Sequence, residues 1–274
     1  MERGAHPARV LRYEAGNEDR LDDQLAAEEP LEIRLDGDSL TVAMRTPGND
    51  TELVAGFLFG EGVICGLEDV ASIDVVPNGE HPDLENVIDV RLNPSAPGRA
   101  QGWQREFLAA SSCGVCGVSS IEAIQRHAAP LEADGLRVQP EVLFSLDARL
   151  RAEQGLFTRT GGLHAAGLFT VDGEPVAVRE DIGRHNAVDK VIGYALERGL
   201  VPLTRHILMV SGRTSFEIVQ KALMARIPIL CAVSAPSSLA RDLAQASNMT
   251  LIGFLRGRRL NVYAGRQRIA TPGV

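Results

Sequence analysis

The feature that most limits how this chain folds lies in its last third, where short apolar runs alternate with capped amphipathic stretches. Ile207–Val210 reads as a buried strand and runs directly into Ser211–Gly212–Arg213. Thr214 and Glu217 then stand at capping-box spacing in front of a helix. Ile229–Val233 repeats the apolar run, Ser237 or Ser238 caps a second helix, and Thr250–Leu255 supplies the next strand. Strand, helix, strand, helix, strand at this spacing implies parallel pairing through right-handed crossovers, with helices covering the sheet. The architecture expected is α/β.

Upstream of that unit, Leu163–Val171 and Glu174–Arg179 flank Asp172–Gly173 as a hairpin, and Asn186 is positioned to cap a helix carrying Val188, Val191, Ile192, Ala195 and Leu196. The front of the chain reads as shorter pieces. Leu31–Leu35 and Leu40–Met44 flank the turn Asp36–Gly37–Asp38, and Asp50 or Thr51 opens a helix through Leu53, Val54, Phe57 and Leu58. Ile73–Val76 and Val87–Leu92 are strand-like, and Asn93–Gly102 has the most linker-like composition in the chain. The domain division expected is therefore 1–110 and 111–274.

Charge and cysteine content exclude several classes. The chain of 274 residues has 28 basic and 36 acidic side chains, a formal charge of −8. Residues 1–100 hold 8 basic and 21 acidic groups, while the remainder hold 20 and 15. No acid follows Asp242, whereas Arg256, Arg258, Arg259, Arg266 and Arg268 do. An acidic front with a mildly basic back argues against a protein that coats nucleic acid and leaves room for a local anion site. No run of 18 apolar residues exists, and the first 25 residues lack a secretory pattern, so the expectation is a cytoplasmic protein without a membrane span. Cys65, Cys113, Cys116 and Cys231 are too sparse for a disulfide scaffold.

Three segments bear the residue types that do chemistry. Ser111–Ser112–Cys113–Gly114–Val115–Cys116–Gly117 sets two thiols three positions apart among glycines, before a helical pattern that ends at Pro130. At a helix N-terminus the free amides and dipole favour thiolate, the nucleophile in disulfide exchange and the carrier of sulfane sulfur. The same segment also reads as half of a structural zinc site, or as a turn of small residues. The second feature is the pair of strand-to-helix loops Val210–Ser215 and Val233–Ser238, which gather at one sheet edge where helix N-termini attract anions. Arg213 adds a bidentate donor. Neither loop matches a Walker or a dinucleotide fingerprint, and ordinary helix capping explains either one alone. The third feature is Arg179–Asn186, with His164 following Gly161–Gly162. His185 suits acid–base work near neutral pH or a hydrogen bond to a ligand, and a salt-bridged loop explains the segment equally well.

Taken in order, SSCGVCG (111–117), TGGLHAAGLF (160–169), REDIGRHNAVDK (179–190), VSGRTSFEI (210–218), AVSAPSSL (232–239) and LIGFLRGRRLNVY (251–263) resemble the family of formate dehydrogenase accessory sulfurtransferases, often called FdhD. The resemblance spans roughly residues 30–265. It implies a small N-terminal α/β domain and a C-terminal three-layer domain of the cytidine-deaminase-like kind. It also implies a sulfur relay from a cysteine desulfurase to the molybdenum cofactor, in its bis-molybdopterin guanine dinucleotide form, before insertion into formate dehydrogenase. Cys113 resembles the persulfide-bearing cysteine, with Cys116 as its partner. Phe254, Leu255, Arg256, Gly257, Arg258 and Arg259 look like the cofactor-binding segment, with Ser211, Gly212, Arg213, Thr214, Ser234 and His185 beside it. GDP is then a ligand mimic, and a homodimer is implied. No resident metal, nucleic acid or membrane partner is expected. A His-x-Glu paired with Pro-Cys-x-x-Cys is absent from the sequence, so zinc-dependent deamination is rejected. The alternatives are a cofactor-binding chaperone that moves no sulfur, and a thiol redox protein.

Overall fold

The apolar runs of the last third do form a parallel core. In the computed structural model, which describes residues 4–77, 85–97 and 129–271, β9 (His206–Val210), β10 (Ile229–Ala232) and β11 (Thr250–Arg256) pair in parallel. Here β1 to β6 are Ala5–Glu14, Asn17–Ala26, Glu29–Leu35, Asp38–Arg45, Val70–Val75 and Val87–Leu92, with α1 (Asp50–Gly60) between β4 and β5. Then follow α2 (Pro140–Ala152), α3 (Gly155–Thr160), β7 (His164–Thr170), β8 (Pro175–Asp181) and α4 (Arg184–Glu197). The crossover helices are α5 (Phe216–Met224) and α6 (Ser238–Ala246), and β12 (Arg259–Ala264) returns antiparallel to β11.

These strands build three sheets. The largest has the order β12-β11-β10-β9-β7-β8, with the β7–β8 hairpin antiparallel to β9. Alternation along its strands sorts side chains to two faces. Leu168, Leu208, Leu230 and Leu251 meet α4, α5 and α6, whereas Phe169, Ile207, Ile229 and Ile252 meet Leu143, Leu146 and Leu150 of α2. Helices therefore cover both faces, in a mixed α/β arrangement. The second sheet, β4-β3-β6-β5, lays α1 against α4, and one apolar cluster runs from Leu31 and Leu53 through Val191 to Leu223. The third is the two-stranded ribbon β1–β2.

The α1–α4 contact is unusually close because both helices present glycine. A Cβ on Gly56 would fall on the carbonyl of Asp189, and one on Gly193 would fall on the carbonyl of Glu52. Around that contact buried charges are paired. Arg179 grips Glu52 with two donors, Nη2–Oε1 at 2.7 Å, and Lys190 Nζ lies 2.7 Å from Asp181 and 2.8 Å from the Thr46 carbonyl. Lys221 Nζ stands 2.8 Å from Asp189 and 3.4 Å from Glu61.

Helix starts differ from the expected positions in three places. Neither Asp50 nor Thr51 caps α1; Asn49 does so, in a left-handed conformation with no side-chain bond. Asn186 lies inside the first turn of α4, because its amide is spent on the Met44 carbonyl and on Asp181. Ser215, not Thr214, is the N-cap of α5, since Thr214 is buried by its backbone pairing with Ala235 and Pro236. The cap at Ser237 forms as expected, accepting from the Ala240 amide at 3.2 Å. The segment joining the two expected domains lies largely outside the described residues.

Candidate functional site

Sheet order brings the chemistry-bearing loops to one edge. Because β7 runs antiparallel to β9, His164 at the start of β7 sits beside the ends of β9 and β10, and opposite Asp181 at the end of β8. The loops that meet there are 182–185, 211–215 and 233–237, together with the last residues of β11. They are stitched to one another by backbone. Ser211 donates to Ala165 and its hydroxyl accepts from the Ala165 amide, both at 2.9 Å. Thr214 donates to Ala235, Phe254 donates to Ser234, and Arg256 Nε reaches the Val233 carbonyl at 3.3 Å. Such bonding holds Ser211, Gly212, Arg213, Thr214, Ser234, Phe254 and Arg256 as one rigid rim.

The turn β11–β12 adds Gly257, Arg258 and Arg259, with Gly257 at positive φ and Arg256 opposite Arg259. Arg256, Arg258 and Arg259 are exposed, and Arg258 lies over the Phe144 ring of α2 at 5.7 Å. Leu255 differs from its neighbours: its side chain is fully buried in the cluster under α2, so only its backbone faces the rim. Phe254 takes φ 52, a left-handed conformation rare for a bulky side chain, which re-aims the strand end.

The rim is electropositive and its histidines are neutral. Burial pushes the His164 imidazole below its ordinary pKa, and the Arg184 and Arg213 guanidinia push it the same way against Asp181. His185 is held down to about 4, first by burial and then by Arg184, with Glu217 opposing. Its Nε2 lies 3.0 Å from the Ser215 hydroxyl and 3.7 Å from Glu217. At pH 7 such an imidazole is neutral and offers a hydrogen bond without adding charge.

Three buried polar atoms around this edge have no hydrogen-bond partner among the described residues: Arg184 Nε, Thr214 Oγ1 and Gln154 Nε2. Buried polar groups are ordinarily satisfied, so an unpartnered one is an exception that calls for an explanation. Gly212 sits between His164 and Arg184, where a Cβ would press within 3.3 Å of the His164 ring. Beside the rim a cavity of about 630 Å³ opens between α2, α3 and the start of β7, lined by Asp147, Gln154, Phe157, His164, Ser211 and Val233. Guanidinia beside an approachable glycine backbone suit an anion. Gln154 carries no sequence signal, whereas Arg184 and His164 lie in stretches the sequence marks without assigning either of them a role.

Cys113 and Cys116 lie outside the described residues. Of the other thiols, Cys231 is buried and Cys65 is exposed. Desolvation raises the pKa of both, aided at Cys65 by Asp69 and Glu68, so neither is a thiolate at neutral pH. Among the described residues no cluster of three or more His, Cys, Asp or Glu is arranged to hold a metal, and no helix is long and apolar enough to cross a membrane.

A family model described as FdhD/NarQ matches residues 26–270. The chain belongs to the FdhD/NarQ family. Similar FdhD/NarQ members include the sulfur carrier protein FdhD of Nocardia farcinica, 53% identical over 264 residues, covering 95% of this chain and 93% of that one. The sulfur carrier protein FdhD of Streptomyces coelicolor is 50% identical over 274 residues, covering 98% and 97%. In three dimensions the FdhD/NarQ chain resembles the crystal structure of a formate dehydrogenase accessory protein from Desulfotalea psychrophila. The TM-score is 0.75 at 26% identity, over 97% of this chain and all of that one.

Proposed function

We propose that this chain is a sulfur carrier in formate dehydrogenase maturation, delivering sulfur to a molybdenum cofactor whose guanine nucleotide ends it holds at the strand-end rim. The observation that carries the reading is the strand-end rim, where the loops 211–215 and 233–237 are bonded to the end of β11 next to the exposed arginines of the β11–β12 turn, in an FdhD/NarQ chain. Arg184, Arg213, Arg256, Arg258 and Arg259 supply charge for phosphates, and Gly212 lets the backbone approach. The neutral His164 and His185 offer hydrogen bonds without adding charge.

In this reading the Cys113 thiolate attacks the outer sulfur of a cysteine desulfurase persulfide. The S–S bond of the donor breaks, the desulfurase thiolate leaves, and Cys113 keeps the sulfane sulfur as a persulfide. Cys116 thiolate then attacks the Cys113 sulfur, forming the 113–116 disulfide and expelling hydrosulfide toward the cofactor, which is the substrate. A cellular dithiol restores the two thiols. Fixing the substrate at the rim makes the transfer oriented and effectively intramolecular. The cytoplasm, where thiols stay reduced, is the compartment this chemistry needs. The division at residue 110 and the deaminase-like character of the back domain belong to the same reading. Helices on both faces of the six-stranded sheet support the latter.

The test is mass spectrometry after incubation with a cysteine desulfurase and cysteine. An adduct of about 32 Da on the peptide containing Cys113, lost in Cys113→Ala, is the expected result. Absence of that adduct from the wild-type protein would overturn the relay and leave the second reading, a chaperone that holds the cofactor and moves no sulfur.

A further inference from the structure

The turn between β4 and α1 reaches the strand-end rim through one residue. Thr46 follows β4 directly, and the proline after it confines its backbone to the extended region. Its side chain is 1% exposed. Its amide donates to Asp181 Oδ2 at 3.1 Å, and its carbonyl accepts from Lys190 Nζ at 2.8 Å. Its hydroxyl donates to the Ala27 carbonyl at 3.0 Å and accepts from the Ile182 amide at 3.1 Å. We propose that Thr46 is a positioning residue of the rim, its hydroxyl fixing where the 182–185 loop, and with it Arg184 and His185, stands.

The bonds of Thr46 divide into two kinds. Those of its amide and carbonyl form whatever side chain stands at this position, so they join the front sheet to Asp181 and α4 as part of the fold. The hydroxyl adds what the backbone cannot, because one oxygen both gives a hydrogen bond and takes another at the same point. Its acceptor, Ala27, is fully buried where β2 leads into β3, and so supplies a fixed reference.

Its donor, Ile182, opens the rim loop, and Gly183 alone separates it from Arg184. Gly183 is pinned to Asp181 Oδ1 at 2.8 Å, and His185 Nε2 lies 3.0 Å from the Ser215 hydroxyl. Loosening Ile182 therefore shifts Arg184 and His185 without deleting any group that they bond. The front sheet takes part in the site by position, through a residue 136 places from the loop it holds. The consequence for cofactor binding rests on the sulfur-carrier reading; the consequence for the loop does not.

Thr46→Val keeps the branched shape and both backbone bonds and removes only the hydroxyl, whereas Thr46→Ser keeps the hydroxyl. His185 reports on the loop, because burial holds its pKa down to about 4 among Arg184 of α4, Glu217 and Lys221 of α5, and Glu61 at the end of α1. NMR titration of its imidazole protons in the full-length protein, assigned with His185→Asn, should show that value rising by at least about one pH unit in Thr46→Val and staying in place in Thr46→Ser. GDP affinity by calorimetry should fall about three- to tenfold in Thr46→Val and recover in Thr46→Ser. In wild-type protein the Ile182 amide should exchange at least about a hundredfold more slowly than an unprotected amide, a measurement that needs no variant to fold. An unshifted His185 in Thr46→Val, an equal shift in Thr46→Ser, GDP affinity unchanged where His185 has shifted, or an unprotected Ile182 amide would each overturn the proposal. Wild-type protein that binds no GDP would overturn the cofactor reading instead, and His185 and Ile182 would still decide the role of Thr46.

Discussion

The α1–α4 seam and the strand-end rim both concentrate charged side chains, and they treat them in opposite ways. In the seam Arg179 meets Glu52, Lys190 meets Asp181, and Lys221 meets Asp189 and Glu61, all with little solvent contact. At the rim Arg184 has a buried donor without a partner, and Arg213 and Arg256 are open to solvent. A buried charge that is paired holds elements in register; one left unpaired is retained at a cost to stability, which a ligand offsets when it binds. Substitutions in the two regions should therefore separate stability from binding.

The largest effect is expected at Asp181. Its buried carboxylate accepts from Lys190, from the Thr46 and Gly183 amides at 3.1 and 2.8 Å, and from Asn186 at 2.9 Å. Asp181→Ala strands the Lys190 ammonium and should cost about 3–5 kcal/mol in urea unfolding. A loss under about 1 kcal/mol would mean that the seam's charges are no better used than surface pairs. Arg184→Gln, by contrast, should weaken GDP binding by about ten- to a hundredfold in calorimetric titration, the worth of a charged hydrogen bond. Its unfolding midpoint should move little. If the variant instead unfolds easily and binds normally, Arg184 belongs with the seam.

The same contrast explains which parts were legible in the sequence. The parallel core was, because Ile207–Val210, Ile229–Val233 and Thr250–Leu255 are continuous apolar runs with turn signals between them. The rim residues Ser211–Thr214 and Ser234 followed from the rule that strand ends gather loops, and Phe254–Arg256 from the family resemblance. The seam did not show, since Glu52 and Arg179 lie 127 positions apart and nothing local marks Gly56 and Gly193 as a helix crossing. Tertiary bonds also moved the helix starts: Asn186 is a natural cap by type, but Met44 and Asp181 claim its amide. The β1–β2 ribbon was invisible for a different reason, as strands wet on both faces have no apolar alternation to read.

A smaller effect is expected from pH. Burial and Arg184 keep His185 neutral down to about 4 in the folded state, whereas the unfolded imidazole binds a proton near 6.5. Between those values the unfolded chain holds more protons, so this group's contribution to stability is present above about pH 6.5 and is lost as pH falls toward 4. Asp189 works the other way. Burial raises its pKa to about 6, so its share declines as pH rises through the window from the ordinary carboxylate value to about 6. His185→Asn should remove the acid-side loss, worth about 1–2 kcal/mol between pH 6.5 and 4.5 by urea unfolding at each pH. An unchanged slope in the variant would show that His185 is not the group responsible.

The smallest and most discriminating change is Thr214→Val. The Thr214 side chain is 1% exposed, and its hydroxyl has no hydrogen-bond partner among the described residues. Removing a hydroxyl that bonds nothing leaves no partner stranded, and valine keeps the branched shape, so the unfolding free energy should stay within about 0.5 kcal/mol or rise slightly. GDP affinity should nonetheless fall about three- to tenfold, because the orphaned oxygen is then unable to meet the ligand. Seam residues cannot behave in this way, since each loss there uncovers a buried partner. If Thr214→Val destabilises by more than about 1 kcal/mol and leaves GDP affinity intact, the hydroxyl serves the fold. The rim would then differ from the seam in exposure alone and not in what its charges are kept for.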